Sequence, residues 1–237
     1  MRRRVETAAL LVRSVPYGEA DLVATFFTEE GGKLAAIVRG ARRSSKRFGG
    51  ALEPIHELFL TLEDKGKELC VLKEARIARA RTGITSDLDA MEAAGHALRW
   101  VRHLCPVRTP EPGAWESLRL LLEILDAPKT DVPVAQHLGL FGLRLLADVG
   151  YGVELERCVR CGRPCPAGRP AYLDAAGGGL VCSTCGGARR TITGALREIT
   201  LRLARGEDVM LTKNDAGVVV DIVEDAMAAH TDFDRAT

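Results

Sequence analysis

The chain has 237 residues, with 33 Lys+Arg against 32 Asp+Glu, 46% hydrophobic and 27% charged residues. That length buries a real core as one large domain or two to three small ones, and the balance excludes a disordered, collagenous or generally polybasic chain. The charge is unevenly spread, because residues 1–83 hold 16 basic and 11 acidic side chains while the remainder holds 17 and 21, so the amino-terminal part is the one suited to an anion.

The opening "MRRRVETAALLVRSV" starts like a signal peptide and fails as one: the apolar run is short, charges bound it, and no small-residue cleavage site follows. No stretch approaches the roughly 18 apolar residues that span a bilayer. The expectation is a cytoplasmic protein. In a reducing compartment seven cysteines are better asked about metal than about disulfides.

Residues 1–81 read as β structure. "AALLVRSV" stops at Pro16-Tyr17-Gly18, "DLVATFFT" at Glu29-Glu30-Gly31-Gly32, then follow "KLAAIVRG", a basic loop, "IHELFLTL", and "KELCVLKEARIARAR" as one strand or two. About five short strands with Gly-rich turns predict a small closed barrel or a sandwich. After Gly83 the period becomes helical. Met91, Ala94, Leu98, Val101 and Leu104 mark a first helix, with Ser86 and Asp89 as its expected capping box and Pro106 beyond its end. Pro112 opens a second helix, and Asp131 and Pro133 a third that ends before Gly150. A Gly/Pro-rich stretch from Cys158 to Cys185 has neither period. Thr193 to Gly206 reads as another capped helix, and 217–230 as a last one, although Val218 to Val220 also suit a strand.

Cys158-x2-Cys161 and Cys182-x2-Cys185 enclose 20 residues. Two such pairs at that spacing are a strong signal for one tetrahedral zinc site, with a hairpin returning the second pair to the first. Gly162 and Gly186 follow each pair, where the turn favours positive φ. Four thiolates leave no open position, so the zinc is expected to be structural. Cys165 is a fifth candidate that would have to replace Cys161. Cys70 and Cys105 sit in apolar contexts and read as packing residues. No GxxxxGK[ST], HExxH or GxSxG is present, and His96 and His103 lack a third ligand, so the chain reads as no enzyme.

"RGARRSSKR" puts five basic residues, Arg39, Arg42, Arg43, Lys46 and Arg47, into nine positions without an acid. Such a run is either solvated or neutralised by a polyanion, and its place between strands of a small barrel raises the case for nucleic acid. Phe48, Phe59 and Tyr17 are candidate stacking residues or core. With aromatics at 5% of the chain, phosphate contact is expected to outweigh stacking.

These residues also carry a family resemblance. "VRGARRSSKRFGGALEPIHELFL" resembles the amino-terminal barrel of the recombination mediator RecO, "LLADVGYGVELERCVRCG…GGGLVCSTCG" resembles the passage into its zinc insert, and "GEADLVATFFTEEGGK" fits as well. The segments lie in the family's order over residues 18–186; after about 207 the likeness is only helical character. The resemblance implies an α+β chain: an OB-fold DNA-binding domain at 1–82, a helical domain at 83–152, a four-cysteine zinc-binding insert at 153–190, and a closing helical part at 191–237. It also implies a nucleoid-associated protein that binds single- and double-stranded DNA, anneals strands, and works with RecR and the single-strand binding protein SSB to load RecA. A groove of the helical part would accept the SSB tail, with Arg99, Arg102, Arg119 or Arg144 on its rim. The alternative is a zinc-ribbon adaptor of transcription or replication that binds protein partners and only weakly nucleic acid.

Overall fold

The structure is a computed structural model that describes residues 3–43, 48, 52–188 and 190–235. By internal contacts the chain forms two compact units, Met1–Pro128 and Lys129–Thr237.

The first unit opens with five strands, β1 Arg3–Tyr17, β2 Asp21–Thr28, β3 Gly32–Val38, β4 Glu57–Asp64 and β5 Leu69–Arg79. They close in the order β1-β2-β3-β5-β4, with β3 and β5 parallel and all other pairs antiparallel. This is the five-stranded OB-fold barrel. β1 is long because it serves two neighbours: its first half pairs with β4, its second half with β2, and a bulge at Val12 re-aims the strand between them. Alternation fills the barrel with Ala9, Leu11, Phe26, Ala36, Val38, Leu58, Leu60, Leu62 and Leu72. Leu10 and Phe27, a cross-strand pair of the opposite parity, are also wholly buried, and Phe27 meets Trp115 with ring centroids 5.8 Å apart. That side of the barrel is therefore covered by helices.

Those helices are α1 Thr82–Thr85, α2 Leu88–Leu104 and α3 Pro112–Asp126. The expected Ser86–Asp89 box does not form. The chain makes the extra turn α1 first, the Ser86 hydroxyl donates back to the Thr82 carbonyl at 2.8 Å, and Asp87 caps α2 by accepting from the Ala90 amide at 3.0 Å. Asp126, at the end of α3, accepts from the Gly83 amide at 2.8 Å and so caps α1 from outside. Pro112 occupies the first turn of α3, as its missing amide predicts.

In the second unit, α4 Val134–Asp148 packs on α6 Lys213–His230 through a glycine: a Cβ on Gly139 would lie 2.9 Å from Val219 Cγ1. α5 Gly194–Ala204 is capped by Thr193, which accepts from the Leu196 amide, and Thr212 caps α6 likewise through the Asp215 amide. Val218 to Val220 are helical. Between α4 and α5 lies a small sheet of β6 Ala171–Asp174, β7 Gly179–Val181 and β8 Arg190–Ile192, in the order β7-β6-β8. Leu173, Leu180 and Ile192 of this sheet share one apolar cluster with Leu196, Leu203, Val219 and Ile222 of the helices. Among the described residues no helix is long and apolar enough to cross a membrane.

Candidate metal centre and nucleic-acid surface

The β6–β7 hairpin brings the two cysteine pairs together. The sulfurs of Cys158, Cys161, Cys182 and Cys185 all lie within 4.8 Å of one another, and Cys161 Sγ and Cys182 Sγ are 3.8 Å apart. Sulfurs at about 2.3 Å from one tetrahedral zinc stand about 3.8 Å apart, so the donor set and its spacing fit that ion. Each pair is a tight turn. The Gly162 amide donates to the Cys158 carbonyl at 2.8 Å, the Gly186 amide to the Cys182 carbonyl at 3.0 Å, and both glycines sit at positive φ, +69° and +60°. Turned this way, main-chain amides face sulfur, as the Cys182 amide does toward Cys158 Sγ at 3.4 Å.

The electrostatics of the four sulfurs suit a cation. The amide of Cys182, aided by those of Arg160 and Cys161, lowers the Cys158 thiol to about 6. Sharing protons with its neighbours, Cys182 first, pushes Cys185 up to about 12. Four thiolates this close repel, and a dication relieves that repulsion. Cys165 is outside the group; its carbonyl accepts from Arg197, and its side chain packs against the apolar cluster of the unit. Cys70 and Cys105 are buried, as their apolar contexts implied.

Sequence reasoning missed the residue that ties the centre to its frame. Arg160 donates to the Gly186 carbonyl at 2.7 Å and to Asp174 Oδ2 at 2.9 Å, linking the first turn, the second turn and the hairpin. Nothing in the spacing of residues 160, 174 and 186 announces this.

Of the five basic loop residues, Lys46 and Arg47 lie outside the described residues. Arg39, Arg42 and Arg43 are exposed and follow β3. The loop is anchored on the β1–β2 turn: the Arg42 amide donates to the Ala20 carbonyl at 2.9 Å, and the Gly40 amide to Asp21 Oδ1 at 2.8 Å. Arg42 Nη1 reaches the Gly18 carbonyl at 3.1 Å, and Arg43 makes a 3.4 Å exposed pair with Glu19. Tyr17, 56% exposed, stands at this same turn. Phe48 is a core residue, not a stacking platform: it is 5% exposed and belongs to the barrel's apolar cluster. Phe59 is half-buried, with the Arg76 guanidinium 4.6 Å above its ring.

The rim arginines differ among themselves. Arg119 already pairs with Glu116 and Glu123, at 3.3 and 3.4 Å. Arg102 Nη2 contacts His103 Nε2 at 2.9 Å, Arg99 is half-buried on α2, and Arg144 belongs to α4 in the second unit.

A five-stranded OB barrel with a basic loop at its turn end, in a chain whose helical part carries a four-cysteine insert, defines a protein of the nucleic-acid-handling class. Family models agree with this reading at a finer level. "Recombination protein O N terminal" matches residues 1–81, and "Recombination protein O C terminal" matches residues 85–231. Relatives named DNA repair protein RecO include one from Anaeromyxobacter sp. strain K, 38% identical over 80% of this chain and 74% of its own. One from Myxococcus xanthus is 35% identical over 77% and 73%, and one from Geobacter metallireducens 33% over 76% and 72%. The chain belongs to the recombination protein O family.

Proposed function

We propose that the protein is a non-enzymatic mediator of recombinational DNA repair that binds single- and double-stranded DNA through the barrel, anneals complementary strands, and acts with RecR to load RecA onto SSB-covered single strands in the cytoplasm, at the nucleoid. The observation that carries this reading is the cluster of exposed arginines anchored beside Tyr17 at one end of an OB barrel, in a chain that the family models match over residues 1–81 and 85–231. Arg39, Arg42, Arg43, Lys46 and Arg47 hold phosphates and read no base. One zinc, held by Cys158, Cys161, Cys182 and Cys185, fixes the insert and takes no part in chemistry. The helices supply the partner surface. Leu88 and Met91 on α2 and Leu120 and Ile124 on α3 expose apolar side chains suited to the hydrophobic end of an acidic SSB tail. In this reading residues 1–82 are the OB-fold DNA-binding domain, 83–152 the first part of a helical domain, 153–190 its four-cysteine zinc-binding insert and 191–237 its closing helical part.

The test is the salt dependence of DNA binding combined with strand annealing. Each phosphate contact on a single strand adds roughly 0.7 to the slope of log K against log salt. Replacing Arg42, Arg43 and Arg47 by Ala is expected to flatten that slope by roughly 2, to weaken poly-dT and mixed sequence alike, and to lower annealing in step. Folding is expected to persist, because the ion pair lost among the described residues, Arg43–Glu19, is exposed. An unchanged slope in the folded variant refutes the assignment.

A further inference from the structure

The barrel has an outer face as well as a core, and the strand register shows what lies on it. Val15 pairs with Val23, Val23 with Ile37, and Ile37 with Val71, so these four form one cross-strand row over β1, β2, β3 and β5. Their neighbours along the strands, Ala24, Ala36 and Leu72, belong to the core, and side chains alternate, so the row points outward. All four are half-buried and keep part of each side chain open. A strand face turned only to water is normally polar, as β5 is further along at the exposed Glu74 and Arg76. An aliphatic row here asks for an occupant.

Positive charge frames the row at both ends. On β1, Arg13 and Tyr17 share the outward parity of Val15 and flank it, and both are exposed. At about 3.3 Å a residue they stand about 13 Å apart, further than one small anion reaches. At the Tyr17 end the face runs into the basic loop: Arg39 directly follows Val38, and Arg42 is held on the Gly18 and Ala20 carbonyls. Both acids of that turn are engaged, Asp21 by the Gly40 amide and Glu19 by Arg43. Tyr17 is also the most exposed aromatic side chain of the protein, at 56%, against 39% for Tyr172 and 38% for Tyr151, which stacks on His230.

We propose that this outer face is the track of a single nucleic-acid strand, with phosphates on the basic loop at one end and on Arg13 at the other, one base stacked on Tyr17, and the following bases and sugars laid over Val15, Val23 and Ile37. The proposal rests on the reading that the basic loop holds phosphate, and adds the part that tells an unpaired strand from a duplex. Charge selects the occupant. An aliphatic floor with arginines at both ends fits a chain that is apolar on its base faces and anionic along its backbone, whereas an apolar protein segment would leave the arginines unmatched. In a duplex the bases stack on one another, so their faces are closed to Tyr17 and to the row, and only the phosphate contacts remain. Stacking accepts any base, so the track adds affinity without reading sequence.

The test uses the full chain with a dT oligonucleotide, an abasic strand of the same length, and a blunt duplex. The parent is expected to bind dT about tenfold more tightly than the abasic strand, the worth of one stacked base. Tyr17→Ala is expected to remove that advantage, to leave duplex binding unchanged, and to leave the salt slope for dT unchanged, because no charge is lost. Tyr17→Trp is expected to keep it, with indole fluorescence quenched by dT and not by duplex, over a constant background from the buried Trp100 and Trp115. Arg13→Ala is expected to lower the dT salt slope by about 0.7, and Arg76→Ala, the same charge change on the β4–β5 face, to leave it as it was. Tyr17 and Arg13 are exposed, so their variants put folding at little risk. The proposal is overturned if the parent binds dT and the abasic strand equally, if Tyr17→Ala weakens dT and duplex by the same factor, or if Arg13→Ala and Arg76→Ala change the slope alike. Each of these results leaves the basic loop its phosphates, whereas an unchanged slope in the Arg42, Arg43 and Arg47 variant removes the reading beneath the track.

Discussion

Replacing Cys182 and Cys185 by Ser tests both the ligand assignment and the mechanical role of the centre. Structural zinc in small modules contributes about 10–16 kcal/mol near pH 7, so each of four sulfurs accounts for roughly 3 kcal/mol, a factor above a hundred in affinity. Removing two is expected to empty the site at any free zinc concentration that ordinary buffers hold. The consequence should be local. Leu173 and Leu180 of the hairpin share an apolar cluster with α5 and α6, so that contact remains, but the two cysteine turns lose the atom that joins them. Amide exchange at Gly162, Gly186 and Cys185, whose hydrogen bonds close those turns, is expected to accelerate, while amides of the barrel stay protected. Metal analysis of chelator-free protein supplies the first readout, with one equivalent in the parent, none in the double variant, and one in Cys165→Ser. Full metal content in the double variant, or its loss in Cys165→Ser, refutes the assignment. Loss of barrel protection along with the metal refutes the claim that the role is local.

Gly32 and Gly66 share a left-handed backbone, φ +65° and +68°, in different surroundings. A Cβ at Gly32 would lie 1.9 Å from the Thr109 carbonyl oxygen, whereas at Gly66 nothing is within 4 Å. Gly66→Ala is therefore expected to cost about 1 kcal/mol for the backbone alone, and Gly32→Ala about 3 kcal/mol or more, measured by urea unfolding; equal costs would show the Thr109 contact to be slack. Asp64 holds Arg108 at 2.9 Å, and that hydrogen bond lowers its carboxyl below the ordinary value. A lowered folded pKa gives stability that is present above the unfolded value of about 3.9 and is lost as pH falls through the folded one. Asp64→Asn is thus expected to cost about 1 kcal/mol at pH 7, discounted for partial exposure, with the gap to the parent closing toward pH 3; a gap independent of pH contradicts the ion-pair account.

The parts legible in the sequence are those where chemistry fixes spacing. Strands alternate because one face of the barrel is buried, so β2, β3 and β4 stand where the apolar pattern put them. Two cysteine pairs and their trailing glycines foretell a four-sulfur cluster because thiolate geometry and positive φ leave few alternatives. What the sequence misplaces or leaves open has the opposite cause. Ser86 reads as part of a capping box because nothing in "RTGITSDLD" distinguishes a four-residue helix from a loop; the carboxylate of Asp126, some 40 residues on, is what caps that turn. Phe48 directly follows a basic run, so the sequence leaves it open between stacking and core, and the fold places it in the barrel's apolar cluster.

Arginines are the hardest residues to read, since their roles depend on whichever acid or carbonyl the fold brings near. Arg119, Arg190, Arg202, Arg205 and Arg235 all end on carboxylates of their own chain. Charge density alone could not have separated these from Arg42, whose partners at the β1–β2 turn are carbonyls, or from Arg197, buried among three more. Those two arginines share one property: neutral acceptors orient the guanidinium while its charge stays unmatched. One is exposed and the other buried, so only the first is open to an outside anion. An exposed loop can follow successive phosphates of a strand, and contacts of that kind weaken as salt rises.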